Sequence, residues 1–176
     1  PLGYDFDFQR YPWKRVQAYL RFGEIDMVML YFKTPERAKD AVYLDIPHIY
    51  EASHLFVTAN SDIQFDGKLA SMKSFHFGNV RGYSHGPAYD HSKTLSKHSA
   101  NHEKALIKML VKGDVDIAVG NKPAILLYAK RLGFEKRIRF LSPPIFDGAN
   151  YIAFSKARKD AHEISALFSA QLKKFK

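Results

Sequence analysis

Two amphipathic stretches, each ending at a glycine and followed by a short apolar run, recur along this chain at a fixed distance. Val16-Gln-Ala-Tyr-Leu20 leads through Gly23-Glu-Ile-Asp26 to the apolar Met27–Leu30. Ninety residues later, Leu106-Ile-Lys-Met-Leu110 leads through Gly113-Asp-Val-Asp116 to Ile117–Val119. Each copy predicts a helix, a left-handed glycine stop and a short strand buried on both faces. After the first strand, Thr34-Pro35-Glu36 carries a capping hydroxyl, a first-turn proline and an acid suited to the positive end of a helix dipole. After the second, Asn121-Lys122-Pro123 repeats the cap and proline ahead of a helix over Ala124–Arg131. Each half therefore predicts a strand that runs into a helix N-terminus. In open α/β sheets this is where anions and other ligands bind.

The rest of the pattern divides the chain. His54–Val57, Ser74–Val80 and Tyr151–Phe154 read as strands, and Ala88–Leu95 as a helix. Leu141-Ser-Pro-Pro144 is a breaker, and Thr58–Gly67 is polar and turn-like. Ile164, Leu167, Phe168 and Leu172 fall on one face of a C-terminal helix. The arrangement predicted is a discontinuous first lobe, residues 1–58 and 145–176, around an inserted second lobe, residues 59–144. Two crossings, near Thr58 and Pro144, join them.

Composition narrows the classes of function. Apolar residues form 46% of the 176 and charged residues 26%, an ordinary globular mix. The absence of cysteine excludes disulfides and thiolate chemistry. No apolar run reaches the roughly 18 residues of a membrane helix, and the sequence from Pro1 onward does not open on a basic-then-apolar signal segment. A net charge of +9 suits an anionic partner. Yet Lys130–Arg139 and Lys156–Lys159 are interrupted by other residues, and no nucleic-acid-binding motif is present. A solvated basic surface is the simpler reading, with no nucleic acid as partner.

Pro12-Trp-Lys-Arg15, Gly23-Glu-Ile-Asp26, Lys33-Thr-Pro-Glu-Arg37, Val80-Arg-Gly-Tyr-Ser84, Gly113-Asp-Val-Asp116 and Tyr151-Ile-Ala-Phe-Ser155 occur in an order and spacing that resembles the extracellular solute-binding proteins of family 3, the polar amino acid group serving ABC transporters. The resemblance runs from about Phe8 to Phe175. It implies a type II periplasmic-binding-protein fold, with two α/β lobes, two hinge crossings and a cleft that closes on a solute. It also implies a periplasmic or membrane-associated extracellular location and docking on an ABC permease. Such proteins begin with a strand, helix and strand that have no match here. The first lobe is therefore expected to be N-terminally incomplete, with an open sheet edge that self-association would cover.

The resemblance also places residues in the cleft. Arg37 matches the arginine that holds a ligand carboxylate, the contact for which a guanidinium fork is suited. The alternative is a surface arginine in a helix first turn, where the dipole opposes a cation. Ser84 matches a second carboxylate contact or, equally, a helix cap. Arg81 and Tyr83 flank it. Trp13 matches a stacking aromatic, or is a core aromatic at a helix start. Two positions depart from the pattern. Asn121 stands where relatives have an aspartate for the ligand ammonium, and Phe32 stands near a hydroxyl position. These changes turn the expectation toward a small polar solute that is anionic or modified. No cofactor is expected. His85 with His91, and His98 with His102 on one helical face, have metal-like spacing but no acidic partner. A sensory domain of the same fold is the alternative function. A catalytic derivative would have Glu36 or Asp90 as its nearest carboxylates, and the sequence has no hydrolase or phosphate-loop motif.

Overall fold

The computed structural model describes residues 2–175. Both glycine-stopped helices form, as α1 (Trp13–Phe22) and α3 (Glu103–Lys112). They end in the same way. Gly23 (φ 75°) donates to Leu20 O and Glu24 to Tyr19 O, while Gly113 (φ 85°) donates to Leu110 O and Asp114 to Met109 O. This paired closure needs a left-handed residue, and glycine supplies it at low cost. The strands that follow are β1 (Met27–Phe32) and, in the second copy, β6 (Ile117–Asn121).

Between them lie β2 (Ala41–Tyr43), β3 (Ile49–Thr58), β4 (His76–Val80), α2 (Pro87–Asp90) and β5 (Ser96–Ala100). Beyond β6 come α4 (Lys122–Arg131), β7 (Ile138–Phe140), β8 (Phe146–Ser155) and α5 (Ala161–Lys173). The strands form one mixed sheet in the order β1-β8-β3-β6-β4-β5, with β2 added to β8 and β7 to β3. β4 runs parallel to β5 and β6, and the other pairs are antiparallel.

β3 and β8 give the sheet its shape. They pair with each other over Ile49–Ser53 and Phe146–Asn150 only. From there β3 continues against β6 and β7, and β8 against β1 and β2. The apolar packing divides in the same way. Leu55 and Val57 point to one face with Phe77, Tyr89, Ile117 and Val119, and Phe56 to the other with Leu106, Ile107, Leu110 and Ile125. Ala153 packs with Leu20, Val28 and Tyr31, while Ile152 and Phe154 pack opposite with Leu44 and Ile164. Period-two alternation with both faces buried is what helices on either side of a sheet require. Leu55–Val57 pack with residues of β4, β6, α3 and α4, because that end of β3 is paired to β6 and β7.

Four expected elements come out differently. The helix after Thr34 is a single 3-10 turn, Arg37–Lys39, because the chain bends directly into β2; Thr34 Oγ1 accepts from Arg37 N (3.2 Å). The helix over Ala88–Leu95 is only α2. Lys97 Nζ donates to the carbonyls of Tyr89, Asp90 and Ser92 (2.6, 3.2 and 2.9 Å), which a longer helix would have used itself. His98 therefore lies in β5 and His102 caps α3, not on one helical face. On α5, Leu167 is 42% exposed. Ile164, Phe168 and Leu172 pack against Leu44, Ile152 and Phe154 as their shared face predicts, and two serines add to the docking: Ser165 Oγ donates to Tyr43 O, and Ser169 Oγ accepts from Asp45 N.

Candidate ligand-binding site

Where β3 and β8 pair, apolar alternation gives way to Glu51, Ser53 and Asn150. A cavity of about 250 Å³ opens against this stretch. Phe32 from the end of β1 and Arg37 from the turn beyond it line one side, with Trp13 from the first residue of α1. Tyr83, Ser84 and His85 line the other, from the loop after β4, with Glu103 and Asn121 at the starts of α3 and α4. Six of the seven sequence-predicted residues thus meet at one cavity. Arg81 does not. It follows the buried Val80, its side chain is exposed, and only its backbone is engaged, donating to Ala100 O (2.8 Å).

Arg37 is half-buried. Its Nη1 donates to Phe32 O and its Nη2 to Gly82 O, both at 3.0 Å. Its guanidinium lies 4.6 Å from the ring centre of Tyr31 and 5.9 Å from that of Trp13. Burial lowers its pKa, but a guanidinium stays charged. With five N–H donors, the group keeps others for a ligand. Gly82 O also accepts from Trp13 Nε1 (3.0 Å) and Gln17 Nε2 (3.3 Å), so three side chains converge on one carbonyl.

Across the cavity the hydroxyls are engaged. Ser84 Oγ donates to Asp90 Oδ2 (2.5 Å), and Asp90 Oδ1 accepts from His85 N (2.9 Å). Tyr83 donates to Glu103 Oε1 (2.6 Å). Its phenol is pushed far up, first by burial and then by Glu103. Asn121 Oδ1 accepts from Ala124 N (3.1 Å), the cap its position predicts. A second cavity of about 300 Å³ adjoins through Arg37, Tyr83 and Ser84, with Asp90 and Lys97 on its far wall.

Sequence reasoning missed Glu51, Ser53, Asn150 and Glu103, and considered His85 only as a metal ligand. Asn150 Nδ2 donates to Glu51 Oε2 (2.5 Å), and burial raises the Glu51 carboxyl. The available signal was the polar interruption within two otherwise apolar strands. His85 is fully buried. Its Nδ1 meets Ser53 Oγ at 3.1 Å, while its Nε2 has no partner. Burial lowers its pKa to about 4, so it is a weak base at neutral pH and a poor activator of Ser53. Among the described residues, no group of three or more His, Cys, Asp or Glu could hold a metal. Among the described residues no helix is long and apolar enough to cross a membrane either.

His85 carries a pH prediction. An unfolded chain takes up its proton near 6.5, whereas the folded chain holds the ring neutral down to about 4. Stability present above 6.5 is therefore lost as pH falls across that window, by up to about 3 kcal/mol. Thermal melts between pH 7 and 4.5 should show a steeper decline for the parent protein than for His85→Gln. Parallel curves would rule this out.

In fold, the chain is similar to the substrate-binding proteins of amino acid ABC transporters. One such structure, the substrate binding protein of an amino acid ABC transporter, superposes with a TM-score of 0.78 at 20% identity, covering 98% of this chain and 76% of that one. The arginine-bound form of a truncated ArgBP from T. maritima gives 0.81 at 15% identity, covering 99% and 79%. A histidine kinase sensor domain with similarity to periplasmic binding proteins gives 0.79 at 17%, covering 99% and 75%. No family model matches the sequence, and a search of curated proteins finds no match.

Proposed function

We propose that the protein binds a small polar solute, an amino acid or related carboxylate, and hands it to an ABC permease outside the cytoplasm. The observation that carries this is the meeting of Arg37, Trp13 and Phe32 with Tyr83, Ser84 and Asn121 across one cavity. In this reading residues 1–58 and 145–176 form one lobe and 59–144 the other. The two crossings that join them, near Thr58 and Pro144, are the hinge. Arg37 holds the solute carboxylate, Trp13 and Phe32 cover its body, and Ser84 and Asn121 meet its polar groups. The solute favours closure by touching both lobes at once. Catalysis forms no part of the proposal.

A thermal-shift screen against amino acids, small carboxylates and polyamines tests it. A solute at 1,000 times its Kd adds about 4 kcal/mol, or roughly 10 °C for a chain of this size. No shift with any compound would sink the proposal. The fold match to a histidine kinase sensor domain favours a second reading, solute sensing for a signalling partner. A kinase rather than a permease encoded beside the gene would decide for it.

A further inference from the structure

We infer that the Gly82 carbonyl is the latch between the two lobes, and that Gln17, which does not line the solute cavity, is a positioning residue acting through it. This rests on the binding reading above and goes beyond it by naming the contact that governs closure.

Three side chains of the first lobe donate to this one oxygen of the second. Trp13 Nε1 lies at 3.0 Å, Gln17 Nε2 at 3.3 Å and Arg37 Nη2 at 3.0 Å. Trp13 and Gln17 are one turn apart on the same face of α1, and Arg37 reaches in from the turn after β1. A carbonyl oxygen has two lone pairs, so these donors engage it fully. Among the described residues, every other hydrogen bond between the lobes belongs to the backbone pairing along β3 or to the Ser53–His85 contact beside it. No ion pair among them joins the lobes. Away from the strands that connect them, the lobes are therefore hydrogen-bonded through Gly82 O alone.

The packing around the carbonyl points the same way. A Cβ at Gly82 would lie 2.8 Å from Gln17 Oε1 and 3.2 Å from Lys14 Cγ, so α1 seats directly on this loop with no space for a side chain between them. Tyr83, the next residue, meets the Trp13 ring at 5.5 Å and nearly at right angles. Arg37 belongs both to the latch and to the cavity wall, which ties the grip on a solute to the meeting of the lobes. Gln17 belongs to the latch but not to that wall. Removing its donor loosens closure and takes away no contact from the cavity.

Spin labels on the two lobes of the full chain test this, since the sequence has no cysteine of its own to compete for them. Glu24→Cys on the first lobe and Lys104→Cys on the second supply exposed attachment points. Pulsed electron resonance then gives the distribution of distances between them, with no solute added. The labelled parent should show a short-distance population. Gln17→Met keeps the length of the side chain and removes the donor. It should shift the ratio of short to long distances roughly 2- to 10-fold toward the long, the range of one neutral hydrogen bond. Trp13→Phe, which also removes a donor, should shift it in the same direction. The melting temperature of Gln17→Met should stay near that of the parent, whereas a merely structural role would lower the melt and leave the distances alone. Unchanged distances in both variants, or a parent with the long population only, overturn the inference. The binding reading is judged separately by the thermal-shift screen: a solute shift there beside unchanged distances here overturns the latch alone.

Discussion

Arg37→Ala should weaken solute binding by roughly 100-fold or more, the cost of removing one partner from a desolvated charge pair. The structure explains why neighbouring groups cannot take over. Arg37 is the single cationic side chain among the described residues of the cavity wall. Its guanidinium is fixed by two backbone carbonyls and stacked against Tyr31, so its remaining donors point in a set direction without further ordering. Arg37→Lys should restore little, because a point charge cannot keep both carbonyl contacts and also form a fork with a carboxylate. Calorimetric titration against the best ligand of the screen measures the loss. Affinity within about threefold of the parent would show that the carboxylate is held elsewhere.

Gly86→Ala should destabilise the fold by about 2–6 kcal/mol. Gly86 has φ 89° and ψ 156°, a conformation almost confined to glycine, costing about 1–3 kcal/mol for another residue. A Cβ there would lie 2.5 Å from Phe146 Cδ2 and 2.6 Å from its Cγ, adding about 1–3 kcal/mol of overpacking. Phe146 cannot retreat freely, since it opens β8 opposite Ser53 and its ring lies against Phe32 (5.3 Å). Gly86 O also accepts from Asp90 N (2.8 Å), so the strain reaches the carboxylate that holds Ser84 and His85. A melt by circular dichroism should fall by roughly 10 °C. Adding Phe146→Leu should recover part of this, because it relieves the clash but not the dihedral cost. A variant melting within about 2 °C of the parent would refute the argument.

The elements legible in the sequence are those whose signal is local. The glycine stops at Gly23 and Gly113, the Asn121 cap and the two short strands each rest on a few adjacent residues, and each forms, although β1 exposes Met29 and Leu30 where burial on both faces was expected. Extents fail where a distant group intervenes. Lys97 ends α2 from the following strand, and Ser165 and Ser169 dock α5 by hydrogen bonds that apolar periodicity does not register. The cavity wall shows the same division. Arg37, Ser84 and Asn121 sit beside turns and caps that mark them, whereas Glu51 and Asn150 become neighbours only through the pairing of strands 99 positions apart. The expectation of an anionic or modified solute came from Asn121 and Phe32, whereas Glu51 and Glu103 on the same wall were not marked by any local motif.

The place of β8 sets an order on how the molecule can be made. β1 and β2 pair only with β8, and most of β3's first half does too. A ribosome delivers β1 and β2 more than a hundred residues before the segment that joins them. The stretch from Leu55 to Leu141, by contrast, supplies its own strand partners and its own two-sided packing. The middle of the chain can therefore settle first during synthesis. The beginning waits, with apolar Met27–Phe32 unpaired, until residues 146–155 emerge. A nascent chain halted short of Phe146 would leave that strand open to holdase chaperones, and the emergence of residues 146–155 is the event that completes the sheet.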